Sequence, residues 1–88
     1  MTEPTRPYLV RQINDGWQFL YWFDNDYGAS VVQGPYTYGG PEGKWELGVI
    51  KWKNNDYALT YDTPITDDVI GYLSDDQVEE LLQRIKEL

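Results

Sequence analysis

The sequence predicts an α+β fold: an antiparallel meander of four to five strands, with a C-terminal helix packed on one face. Three observations point there. Residues 8–61 hold short runs of aromatic and β-branched residues punctuated by turn residues. From Ser74 onward the apolar spacing changes to the helical period. The 88 residues show no repeat and no linker, so a single domain is expected, with residues 1–7 a frayed lead-in, 8–61 the sheet and 66–88 helical.

The first expected strand is Tyr8 to Ile13, closed by Asn14-Asp15-Gly16, a strong hairpin turn. In the aromatic run that follows, Trp17, Phe19, Tyr21 and Phe23 share one face, while Gln18, Leu20 and Trp22 share the other. After the polar turn Asp24 to Gly28 comes a short β-branched strand, Ala29 to Gln33. Gly34 to Gly43 holds four glycines and two prolines in ten residues, which reads as a shaped loop without regular structure. A strand resumes from Trp45 to Trp52, with Trp45, Leu47 and Val49 on one face and Ile50 and Trp52 on the other. Lys53 to Asp56 turns the chain, and Tyr57 to Tyr61 pairs back.

Thr66-Asp67-Asp68-Val69 resembles a helix start that Gly71 holds to a turn or two. Ser74 and Gln77 form a capping-box pattern. Behind them Val78, Leu81, Leu82, Ile85 and Leu88 make one stripe, which needs a sheet to lie against because a lone helix this short is marginal in water.

Composition excludes several function classes. With no histidine and no cysteine, and with Ser30 and Ser74 the only serines, nothing supplies an activated nucleophile. Thiolate metal sites and disulfides are ruled out as well, so no cofactor, no metal and no catalytic residue is expected. No apolar run reaches membrane-spanning length, and Met1 to Pro7 does not read as a signal peptide, so a cytoplasmic location is expected.

The net charge of −8 is unevenly spread. Residues 1–53 carry six acids and five bases, whereas residues 54–88 carry nine acids and two bases. Such a field disfavours direct nucleic-acid binding and anionic membranes, and it steers toward a basic or nucleic-acid-binding protein partner.

Individual motifs are weak as chemistry. Asp67/Asp68 and Asp75/Asp76 fall where helix starts favour acids, and neighbouring helical residues point about 100° apart, so neither doublet aims two carboxylates at one point. Asp24-Asn25-Asp26-Tyr27-Gly28 opens like a calcium loop but lacks its later Gly and bidentate Glu, so an Asx turn is expected. The Gly-rich loop lacks a Gly-Lys-Ser/Thr ending and leads into a strand, which speaks against a phosphate cradle. The aromatic strand Trp17–Phe23 has no interleaved Lys or Arg to follow a nucleic-acid backbone. A loop presenting Tyr36 and Tyr38 fits a protein-contact surface better.

Four stretches stand out together: Tyr27-Gly28-Ala29-Ser30-Val31-Val32, Gly34-Pro35-Tyr36-Thr37-Tyr38-Gly39-Gly40 with Gly43, Glu46-Leu47, and Tyr61 through Gly71 followed by the helix. In these stretches the chain resembles a family of small acidic bacteriophage and prophage proteins. The resemblance implies a phage origin and a role inside an infected host; it supplies no catalytic residues, and Met1–Phe23 lies outside it.

The expected function is therefore a non-enzymatic phage protein that binds a host or phage protein, with Tyr36, Tyr38, Trp22, Trp52, Asp62, Asp67 and Asp68 as candidate contacts. One alternative is an acidic nucleic-acid mimic that inhibits a host defence system, in the manner of anti-restriction or anti-CRISPR proteins. Another is a small carbohydrate- or ligand-binding module, or an enzyme, built on Asp62 and the aromatics. A homodimer is also open, through the Trp17–Phe23 strand if it lies at a sheet edge.

Overall fold

Asn14 and Asp15 adopt left-handed φ angles of 46° and 63°, the pair that a two-residue type I′ hairpin requires. They fold β1 (Leu9–Ile13) onto β2 (Gly16–Trp22) in the computed structural model, which describes residues 5–65 and 68–88. Asn54 and Asn55 repeat the device, at 54° and 65°, between β4 (Trp45–Lys53) and β5 (Asp56–Leu59). Between these hairpins lies β3 (Tyr27–Gln33).

The sheet is antiparallel in the order β1-β2-β3-β4-β5, the expected meander. A sixth strand, β6 (Ile70–Leu73), was not expected. Its cause is tertiary. β4 is nine residues long, and β5 pairs only with its second half, Ile50 to Lys53. The first half, Trp45 to Leu47, would be left with unpaired N–H and C=O groups, and β6 covers that stretch of edge. The expected helical turn after Pro64 is therefore strand over 70–73, while Thr66 and Asp67 lie outside the described residues. The Gly-rich loop also departs from expectation, since Gly40–Glu42 forms a single 3-10 turn.

Side chains alternate between two faces of the sheet, and the strand register assigns them. Phe19, Tyr21, Ala29, Val31, Leu47 and Val49 share the first face. Val78, Leu82 and Ile85 of α1 (Asp75–Lys86) are buried in the same cluster as Tyr21, Ala29, Val31, Leu47 and Val49. Ser74 caps α1 with the full capping box, its Oγ accepting from Gln77 N at 3.2 Å while Gln77 Oε1 accepts from Ser74 N at 2.8 Å. At the other end Asn25 performs two tasks. Its Oδ1 accepts from Tyr27 N at 3.0 Å, closing the expected Asx turn. Its Nδ2 donates to the carbonyls of Ile85 and Leu88 at 3.0 and 3.2 Å, adding a side-chain donor to the helix end.

The second face holds Gln18, Leu20, Trp22, Gly28, Ser30, Val32, Glu46, Gly48, Ile50 and Trp52. Arg11 on β1 donates from Nη2 to the Tyr57 hydroxyl on β5 at 3.1 Å. In a flat sheet strands four places apart would be separated by roughly 19 Å. The sheet therefore curls toward its second face into a half-barrel.

Within the lead-in, Thr5 is tied to α1. Thr5 donates from its N and Oγ1 to Glu79 Oε1 at 3.0 and 2.7 Å, and Gln83 Nε2 donates to both Thr5 Oγ1 and Glu79 Oε1 at 3.0 Å. Among the described residues no helix is long and apolar enough to cross a membrane.

Candidate binding surface

The loop between β3 and β4 is built by its own backbone. Thr37 Oγ1 accepts from Gly34 N and donates to Gly34 O, both at 3.1 Å, while Gly40 N donates to Thr37 O at 3.1 Å. Gly39 sits at φ 87°, where L side chains are strained, and its carbonyl accepts from both Glu42 N and Lys44 N. Two further bonds moor the loop to the sheet. Tyr38 N donates to Glu46 Oε1 at 3.1 Å, and Tyr72 N donates to Tyr38 O at 3.1 Å.

On this moored backbone the rings face water. Tyr36 is 80% exposed and Tyr38 63%. Sequence reasoning missed two neighbours. Tyr72, 59% exposed, holds φ at 57°, an uncommon conformation for a bulky residue, and its backbone bonds Tyr38. Trp17, 47% exposed, lines the same cleft as Tyr36. Tyr72 carried no signal because its conformation depends on β6, whose partners Trp45 and Leu47 lie far earlier in the chain.

That cleft, about 260 Å3, lies at the end of the second face and is lined by Ile13, Val32, Tyr36 and Glu46 among others. Gly16 and Gly34 pack backbone to backbone beside it, so no side chains rise there.

The remaining candidates do not join this patch. Trp22 and Trp52 stack with ring centroids 4.4 Å apart and planes 3° from parallel. They sit two strands apart and meet across Gly28, where an added Cβ would overlap Tyr21 O and press on Trp52 Nε1. Trp52 is only 5% exposed and donates from Nε1 to Tyr21 O at 3.0 Å; Tyr8 and Tyr57 pack against its ring. This pair is core, and Trp52 offers no contact surface. Asp62 is exposed, and so is Asp68, whose carboxylate accepts from Val69 N at 2.7 Å; Asp67 lies outside the described residues.

A polar chain also crosses the second face. Arg11 Nε donates to Gln18 Oε1 at 2.7 Å, and Gln18 Nε2 donates to Ser30 Oγ at 2.9 Å. Gln18 is buried in this position, so both ends of its amide are satisfied inside the sheet. The hint in the sequence was a polar residue at an inward position of an otherwise aromatic strand.

Two of the acids lie at opposite ends of β4. Asp26 O accepts from Trp52 N, so that turn lies by Trp52, whereas Asp75 Oδ1 accepts from Trp45 Nε1 at 2.7 Å. Seven residues of β4 separate the two tryptophans, roughly 23 Å of strand. Burial pushes the Tyr21 hydroxyl pKa upward, and the Glu79 carboxylate adds to the shift. Partial burial alone would also raise Glu79, but the hydrogen bonds from Thr5 and Gln83, with attraction from Lys86, hold it below the usual carboxylate range. Among the described residues no group of three or more His, Cys, Asp or Glu side chains is placed to hold a metal ion.

The molecule so described is an α+β half-barrel with one C-terminal helix and an aromatic loop at one end. No family model, curated protein or solved structure matches the chain.

Proposed function

We propose that this protein acts by binding another protein, without catalysis, and that Tyr36 and Tyr38, flanked by Trp17 and Tyr72, form the contact surface. The observation that supports this most is the combination of a loop held by its own hydrogen bonds with rings left in water. Exposed apolar rings on an ordered loop gain nothing for the free chain, but they lower the ordering cost of binding. Tyrosine suits the task because it brings a large contact area with few rotatable bonds.

Within this reading the net charge of −8 sets on-rate and orientation toward a basic partner. The resemblance to phage proteins would make that partner a host or phage protein. Asp26 and Asp75, at opposite ends of β4, do not fall in one short row of phosphate-like charges.

The test is capture of a partner by wild-type protein and by a Tyr36→Ala/Tyr38→Ala variant, with circular dichroism to confirm the fold of both. The expected result is one partner held by the wild type and lost by the variant. Equal capture by both proteins would remove the tyrosine loop from the binding surface.

A further inference from the structure

We infer that the cleft at the end of the second face is an anchor pocket for a cationic side chain, arginine or lysine, of the partner protein; this rests on the binding reading above. Three features of the cleft converge on that occupant.

The first is charge. Glu46 is the one carboxylate lining the cleft, and no Lys or Arg lines it. It is half-buried. Its Oε1 accepts the Tyr38 N–H, and it forms no ion pair among the described residues. A carboxylate accepts through about four lone-pair sites, so acceptor capacity remains for an incoming donor. The cation on the same row of the sheet, Arg11, is turned away, because its guanidinium is occupied by Gln18 and Tyr57.

The second is shape and polarity. Ile13 and Val32, both half-buried, give apolar wall against which a long aliphatic stem can lie while its charged head reaches Glu46. Tyr36 also lines the cleft, and its exposed ring is free to meet a cation face-on. The third is size. At about 260 Å3 the cleft falls below the roughly 300–1,000 Å3 of small-molecule sites, room for one side chain rather than a metabolite.

The occupant therefore belongs to the same partner that meets the tyrosine loop, since Tyr38 N–H ties that loop to the Glu46 carboxylate. The loop supplies contact area and Glu46 supplies the preference for positive charge.

The test needs no identified partner. Acetyl-Gly-Arg-Gly-amide, its lysine analogue and its uncharged citrulline analogue are titrated into isotope-labelled full-length protein, following the Ile13 and Val32 methyl resonances. The expected result is saturable shifts with the arginine and lysine peptides and none with citrulline. Glu46→Gln retains an oxygen that can accept from Tyr38 N–H, so unchanged loop amide shifts would show the loop intact. In that variant the cationic peptides should bind about tenfold more weakly, the size of one charged hydrogen bond. Equal shifts from the citrulline peptide, equal affinity in Glu46→Gln, or no shift at Ile13 and Val32 with any peptide would each overturn the inference. Such a failure would leave the tyrosine-loop reading standing, because capture by a Tyr38→Ala variant, whose ring does not line the cleft, tests that reading without altering the pocket.

Discussion

On the first face of the sheet, β3 and β4 place Ala29, Val31, Leu47 and Val49 against Leu82 and Ile85 of α1, and these six residues are sealed from water. One position along the same strands, the second face has Gly28, Ser30, Gly48 and Glu46. At these positions the first face carries aliphatics and the second small or polar residues, while Leu20, Ile50 and Trp52 form a smaller buried cluster elsewhere on the second face. The vacant positions are used in different ways. Over Gly28 two tryptophans stack, Ser30 ends the chain of hydrogen bonds from Arg11, and past Val32 and Glu46 the cleft opens. One helix covers one face of a sheet, so the other must be curled, plugged with rings or given to a partner. This protein does the first two, and in our account the third at its open end.

The sharpest way to break this contrast is to damage the first face. Leu82→Ala removes a side chain only 1% exposed and should cost about 2–5 kcal/mol in a urea unfolding series. A loss under about 1 kcal/mol would mean that the helix contributes little to closing the core. On the second face Gly28→Ala should destabilise as well, by about 1–3 kcal/mol or more, because the new methyl would meet the Tyr21 carbonyl, a backbone group held by strand pairing. It should also weaken the near-ultraviolet circular dichroism of the Trp22–Trp52 pair, whose stacking depends on the bare Cα. Retention of that signal would show that the rings do not need Gly28.

The smallest effect concerns Glu79, which ties the lead-in to the helix. Its folded pKa is lowered, so its contribution to stability is present above the unfolded value of about 4.3 and is lost as pH falls through the folded value. Acidification through that window should therefore shift the Thr5 amide resonance before the sheet resonances move. Glu79→Gln keeps an acceptor without the charge and should abolish the early step. An early step that survives in Glu79→Gln would point to a different titrating group.

Much of the frame was legible because its causes are local. Ser74 and Gln77 announce α1 three residues apart, Asn14-Asp15 announces the hairpin, and alternation in the aromatic run assigned Trp17 and Phe19 to one face and Gln18 and Trp22 to the other. What escaped depends on strand order. β6 forms because β5 stops short along β4, which nothing near Ile70 records. Trp52 reads as a contact residue in the sequence, but register places it beside Trp22 around Gly28, where it is 5% exposed. The condition for self-pairing through the aromatic strand is not met, since β2 lies between β1 and β3 and β1 is the edge. The cleft draws Ile13, Val32 and Glu46 from three strands, so its sequence signature is spread over 34 residues. Of its lining only Tyr36 stood out, because it sits with Tyr38 in one Gly-rich loop.

The central claim is that this loop is ordered before any partner arrives. The backbone order parameters of residues 34–43 in the free protein test it directly. The account predicts values of about 0.85, matching the neighbouring strands, whereas values below about 0.6 at Tyr36 and Tyr38 would contradict it.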